Sequence, residues 1–143
     1  MWISTKGKNA IKVMIDLGQY STGEPVKVKD IAKRQDISDK YLEQIISLLN
    51  KAGLVKSIRG ARGGYTLNMP TEKYTAGMIL EAVEGDMSVI DDQGERTSEN
   101  ITDTVCMRLW DKLDESVRAV LDNVTLADML EWQEALLVDQ YMI

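Results

Sequence analysis

Between Ser38 and Asn68 the spacing of apolar residues changes from a helical repeat to a strand repeat, and this switch limits the folds open to the chain. Leu42, Ile45, Ile46 and Leu49 recur at the interval that lines one side of a helix, predicted over 39–52. Ser38 stands where a side-chain oxygen can accept from the first unpaired backbone N–H groups. Gly53 follows where a left-handed backbone is cheap only for glycine, with Leu54 as the apolar clamp beyond it. Leu54–Ile58 then reads as a strand and Tyr65–Asn68 as a second, with Tyr65 and Leu67 on one face. Between them Arg59-Gly60-Ala61-Arg62-Gly63-Gly64 forms a glycine-rich hairpin tip carrying two arginines.

The segment before this one supplies two more helices. Ala10, Ile11, Met14, Ile15 and Leu17 predict a helix from Thr5 to Gln19, capped by Ser4 or Thr5. After a turn at Ser21–Pro25, Val28, Ile31 and Ala32 face inward from a short helix at Val28–Arg34, and Gln35–Ile37 is a tight connection. Helix, short helix, helix and two-stranded hairpin is the order of a winged helix-turn-helix. The expected fold is therefore mainly α with a small two-stranded β-wing.

Beyond it, Thr75 starts a fourth helix that runs to Glu84 and stops at Gly85. Residues 86–100 are polar and aperiodic and are expected to form a mobile loop. In a long helix from Thr102 to Asn123, the residues Cys106, Trp110, Leu113, Val117, Val120 and Val124 fall at alternating steps of four and three. That is the seam of a coiled coil, which predicts a dimerisation helix and a homodimer. Thr125 is expected to cap a last short helix with Asp128 as its reciprocal partner. The remainder, Trp132 to Ile143, is read as amphipathic and partly helical. The chain thus divides into 1–85, the winged helix-turn-helix, and 86–143, the loop, long helix and tail.

Charge separates along the same lines. The net charge of −6 conceals 12 Lys and Arg against 6 Asp and Glu in residues 1–69, and 5 against 17 in residues 70–143. A basic half beside an acidic half suits a nucleic-acid surface with a remainder that limits indiscriminate binding, and equally suits two solvated surfaces. The single cysteine, Cys106, allows no internal disulfide and points to a reducing, cytoplasmic setting. Met1-Trp2-Ile3 passes directly to polar Ser4-Thr5-Lys6, so no secretory leader is expected, and no apolar run approaches a membrane span.

With the apolar face of the third helix turned inward, Asp39, Lys40, Glu43, Gln44 and Ser47 are left outward near its start. In a major groove Gln44 can pair with adenine through two hydrogen bonds. Glu43 can accept from cytosine, and Lys40 can reach guanine or phosphate. Tyr41 would sit at the groove lip. Arg59 and Arg62 suit a minor groove, where narrow A·T tracts concentrate negative potential. Ser38, Ser57 and Lys6 complete the expected contact set, with Lys8, Lys27, Lys29, Lys33 and Lys56 as further phosphate partners. The helix alone is equally an ordinary amphipathic helix, and the hairpin alone a solvated one; their conjunction carries the reading of double-stranded DNA as the partner.

The blocks Ile3–Lys8, Ile37–Ile45 and Gly53–Tyr65, together with Ala76-Gly77, Gly85, Trp110 and Thr125–Asp128, resemble the bacterial winged-helix regulators that include IscR, NsrR and CymR (the Rrf-type family). The resemblance implies a dimeric regulator, in most cases a repressor, that reads a palindromic operator with its third helix and wing. On matching positions it implicates Tyr41, Glu43, Gln44 and Arg59. Sensing members hold an iron–sulfur cluster on three closely spaced cysteines ahead of the long helix. Here Thr104 stands at the last of those positions and Met107 where some members have a ligand histidine, while histidine is absent from the chain. Cys106 falls on the seam, where a small buried apolar role outweighs a reactive one. No metal or other cofactor is expected, and the chain resembles the cluster-free, CymR-like branch. An iron–sulfur or redox sensor of the same family, its site completed across the dimer, is the alternative.

Likeness to that branch implies control of cysteine and sulfur metabolism through a complex with cysteine synthase. That enzyme accepts partner tails ending in isoleucine, which singles out Tyr141, Met142 and Ile143. Catalysis has little support: Asp91, Asp92 and Glu95 sit in an acidic loop, and no phosphate-cradling motif opens a helix. An enzyme is not expected.

Overall fold

The computed structural model describes residues 2–90 and 99–141. Among the described residues, six α-helices and one two-stranded antiparallel sheet appear in the order α1 (Thr5–Tyr20), α2 (Val28–Gln35), α3 (Asp39–Lys51), β1 (Val55–Ile58), β2 (Gly64–Leu67), α4 (Ala76–Glu84), α5 (Ile101–Asn123) and α6 (Leu126–Tyr141), with a 3-10 turn at Thr71–Lys73 before α4. No described helix is long and apolar enough to cross a membrane.

Helix α1 is the central post, contacting α2, α3, α4, α6 and β2. Ser4 caps it by accepting from the Gly7 N–H at 3.2 Å. Glu84, at the end of α4, accepts from both the backbone N–H and the hydroxyl of Ser4. Because α1 is enclosed on several sides, its buried arc is centred on Ala10, Val13, Met14 and Leu17, and the expected inward residues Ile11 and Ile15 lie half-buried on its flanks. The same arc buries Asp16, whose carboxylate receives Arg34 Nε and Nη2 and Gln35 Nε2, each at 2.9 Å. Arg34 also lies over the Tyr20 ring, 3.9 Å from its centroid. The hydrogen bonds to Asp16 raise the Arg34 pKa above the usual arginine value.

Helix α3 begins and ends on local chemistry. The Ser38 hydroxyl accepts from the Tyr41 N–H, and Leu42, Ile45, Ile46 and Leu49 are buried. At its end Gly53 takes φ +77 while Gly53 N–H donates to Asn50 and Leu54 N–H to Leu49, satisfying carbonyls that the last turn leaves open. The wing follows, with Val55 opposite Leu67, Lys56 opposite Thr66, Ser57 opposite Tyr65 and Ile58 opposite Gly64. A third segment joins it: Val26 and Tyr65 exchange two backbone hydrogen bonds of 2.8 Å. Gly64 is required at this point, since a Cβ there would run into the Val26 backbone.

Two expectations change. The segment from residue 86 is not wholly an exposed loop, because Met87 is 1% exposed and packs with Leu80 and Leu121, with Ile11 and Val117 at their edge. One apolar side chain two residues past Gly85 is enough to pin the chain, although its neighbours are polar. Residues 91–98, including Asp91, Asp92 and Glu95, lie outside the described residues. The last short helix and the tail are instead one 16-residue helix, α6. Thr125 and Asp128 do form the reciprocal cap, at 2.9 and 3.0 Å. Beyond the cap the tail is not amphipathic. Leu136, Leu137 and Val138 are consecutive and so spread around the helix, and with Trp132 and Tyr141 all are exposed. Leu126 enters the main core with Met129 and Leu130 beside it, and the Thr75–Thr125 bridge ties the α5–α6 junction to the start of α4.

Candidate nucleic-acid interface

The inward packing of α3 decides what it shows to solvent. Asp39, Lys40, Glu43, Gln44 and Ser47 are exposed, and Tyr41 is half-buried against the core. Lys40, Glu43, Gln44 and Ser47 share one shallow strip with Leu48, which periodicity does not single out. Its signal in the sequence is its spacing, one turn beyond Gln44. Ser38 is exposed too; its oxygen accepts from the Tyr41 N–H, which leaves its proton and one lone pair to offer.

The wing packs against α3 through β1. Ser57, Arg59 and Arg62 are exposed, and the turn between the arginines is closed by the Gly63 N–H donating to the Gly60 carbonyl at 2.9 Å. The tip therefore presents two guanidiniums on a short, glycine-bounded loop at the end of a hairpin whose first strand packs on α3. The polar strip of α3 together with a cationic hairpin matches a duplex that offers base edges in one groove and concentrated negative potential in the next. Lys6 lies half-buried at the start of α1, and no described contact brings it into this group.

On α5 the expected seam is exposed at Cys106, Trp110, Leu113 and Val120 and half-buried at Val117 and Val124. Val117 leans onto the Leu80–Met87–Leu121 cluster. Ile101, Val105 and Leu109, which lie off the heptad positions, widen the stripe; Ile101 is 80% exposed. Arg118 braces this helix against α4 by pairing with both Glu81 and Asp122, and both partners raise its pKa, Glu81 the more. Tyr141 is exposed at the end of α6, while Met142 and Ile143 lie outside the described residues.

Residues 3–132 match the family model Rrf2, described as "Iron-dependent Transcriptional regulator". The chain belongs to the Rrf2 family. It is 39% identical over 137 residues to the HTH-type transcriptional regulator CymR of Bacillus subtilis (strain 168), covering 94% of this chain and 93% of that one. It is 36% identical over 138 residues to the HTH-type transcriptional regulator IscR of Serratia proteamaculans (strain 568), covering 96% and 84%. The solved structure of CymR, titled the global cysteine regulator of B. subtilis, superposes with a TM-score of 0.80 at 38% identity over 92% of this chain and 98% of that one. That of T. potens IscR gives 0.74 at 41% identity over 92% and 87%. This Rrf2 protein is a DNA-binding transcriptional regulator with a winged helix, and its relatives are regulators, not enzymes.

The family description names iron, and the residues present do not fit a thiolate-held cluster. Cluster iron takes about four soft ligands; this chain has one cysteine, exposed on α5, and no histidine. Among the described residues no three His, Cys, Asp or Glu side chains converge as a metal site.

Proposed function

We propose that this Rrf2-family regulator works in the cytoplasm as a homodimeric repressor without a cofactor of its own, binding a near-palindromic operator. Residues 1–85 read the DNA. Lys40, Tyr41, Glu43, Gln44 and Ser47 of α3 lie in the major groove, Ser57, Arg59 and Arg62 of the wing lie along the adjacent minor groove, and Ser38 and Lys6 hold phosphate. Residues 86–143 pair the subunits through the α5 stripe that includes Cys106, Trp110, Leu113, Val117, Val120 and Val124. The observation that carries the reading is the exposed polar strip of α3 together with an arginine-tipped wing whose first strand packs on α3.

Pairing explains why a 23-residue helix keeps Leu109, Trp110, Leu113 and Val120 in water, because exposing so contiguous an apolar stripe is unfavourable unless a partner covers it. Glutamate at Leu109 and Leu113 is expected to yield a monomer in sedimentation equilibrium. The same variant should bind a palindromic duplex at least about tenfold more weakly, since the second half-site no longer profits from the first. A dimer of unchanged operator affinity would sink this part of the proposal.

Similarity to CymR supports a narrower assignment, control of cysteine metabolism; the partner proposed with it is cysteine synthase, engaged by Tyr141, Met142 and Ile143. Immobilised cysteine synthase should retain the full chain and release most of it when residues 141–143 are deleted. No retention, or retention indifferent to the deletion, overturns the assignment.

A further inference from the structure

Tyr74 belongs to none of the groups above, yet it joins several of them. Its side chain is 0% exposed, inside the main core, and it ends in a polar atom. The hydroxyl donates to the Leu54 carbonyl at 2.8 Å and accepts from the Asn68 N–H at 3.0 Å and the Met69 N–H at 3.2 Å. One donor and two acceptor positions are all that a phenol offers, so the group is fully used. Leu54 is the residue before β1, and Asn68 and Met69 are the two residues after β2. A single oxygen thus ties together both roots of the wing. The Asn68 side chain closes the link, donating to the Gly53 carbonyl at 2.7 Å with its own oxygen 3.0 Å from the Tyr74 hydroxyl.

The backbone of the same residue faces the other way. The Tyr74 carbonyl accepts from the Leu126 N–H at 2.9 Å, and two residues on, the Ala76 N–H donates to the Val124 carbonyl at 2.8 Å. The wing roots and the α5–α6 junction therefore hang on one short stretch of chain. Packing alone does not require this. A ring without a hydroxyl would fill the space, and the three polar groups at the roots would then lose the partner that sets their separation.

We propose that Tyr74 is a positioning residue for the wing, its hydroxyl fixing the angle at which β1 and β2 leave the body and hence where Arg59 and Arg62 lie relative to α3. The proposal rests on the reading of the wing as a DNA contact. Leverage makes the roots decisive. Past Val55 the residues of β1 are exposed, so the hairpin is held by its root, by the Val26–Tyr65 pair and by Tyr65 and Leu67 of the half-buried β2, which pack on the core. Four strand residues span about 13 Å, and a tilt of about 10° at the root displaces the tip by about 2 Å.

The test measures affinity for a duplex selected from a random pool by the wild-type protein, with Tyr74→Phe introduced alone and in an Arg59→Ala/Arg62→Ala background. Tyr74→Phe is expected to weaken binding about fivefold when the wing arginines are present and less than about twofold when they are absent. No loss, or an equal loss in both backgrounds, overturns the proposal, the second result marking a purely structural tyrosine. If Arg59→Ala/Arg62→Ala alone binds as tightly as wild type, the wing is not a DNA contact and the Tyr74 proposal falls with that reading. Should Tyr74→Phe not fold, Asn68→Ala decides. It cuts the exposed half of the same link without touching the core, and it should show the same dependence on background, at about twofold.

Discussion

Alanine at Gln44 and Arg59 together is expected to lower specific operator affinity by about a thousandfold while leaving the fold intact. Both side chains are exposed, and among the described residues neither has a hydrogen bond or ion pair within the chain. Removing them therefore touches nothing that holds the protein together, and the melting temperature should move little, as for most surface changes. On DNA the two make different contributions. Gln44 can bond adenine through both ends of its amide, a pairing that discriminates by about 1–3 kcal/mol. Arg59, in the proposed complex, gives a guanidinium to the minor groove, where the gain is largely electrostatic and falls with salt. In a dimer each occurs twice, so a combined loss of about 4 kcal/mol is modest, and it corresponds to about three decades in affinity. The single variants separate the roles. Gln44→Ala should relax the preference for one A·T pair in each half-site. Arg59→Ala should weaken binding most where the contacted minor groove is a narrow A·T tract and lower the salt slope by about 1 per lost contact. Anisotropy titrations with specific and scrambled duplexes across a salt series measure both, and unimpaired specific binding by the double variant would refute the proposed contacts.

Methionine at Arg34 should produce the second large effect, on stability. Asp16 has a fully buried carboxylate near the C-terminal end of α1, and Arg34 gives it two of its three described hydrogen bonds. Taking away the guanidinium leaves a buried negative charge with the Gln35 amide as its remaining described donor. Breaking a fully buried pair in this way costs about 3–5 kcal/mol. Arg34 itself is 31% exposed, so water can partly replace it, and about 2–3 kcal/mol is the appropriate expectation. For a chain of this length that lowers the melting temperature by about 8 °C. Replacing Asp16 by leucine in the same protein should recover most of the loss, since the orphaned charge, not the missing arginine, is what destabilises. A single variant that melts within a degree or two of wild type, or a double variant that melts lower still, contradicts the account. The pair also matters for function, because Arg34 and Gln35 are the last two residues of α2 and hold that helix on α1 just before α3 begins.

Much of the proposed reading surface is legible in the amino-acid sequence, for a physical reason. The outward residues of α3 are simply the complement of Leu42, Ile45, Ile46 and Leu49, and those four repeat at the helical interval. The wing announces itself by alternating apolar residues on either side of a glycine-rich tip. Leu48 escapes such a reading because it stands on the flank of that helix, where periodicity assigns neither inside nor outside. Cys106 is expected from its heptad position to be a small buried residue, and in the single chain it is exposed. Burial at a seam needs a second helix, and that helix belongs to another copy in the proposed assembly.

The winged helix-turn-helix, its caps and its glycine stops were determined by sequence alone, because each depends on groups within a few residues of one another. Ser38 reaches Tyr41, Thr125 reaches Asp128, and Gly53 turns the chain directly after α3. Tertiary structure decided whatever joins distant segments. Asp16 looks like an ordinary polar residue on a helix until Arg34 arrives from 18 positions away. Val26 has no role in the sequence pattern, standing just past the Ser21–Pro25 turn, until Tyr65 pairs with it, and Met87 reads as part of a polar loop until Leu80 and Leu121 enclose it. Tyr74 is one aromatic among several until its hydroxyl meets Leu54, Asn68 and Met69. Local bonds close within one turn of chain and leave a periodic trace in the sequence; contacts across the fold form only after the helices have packed, and leave none.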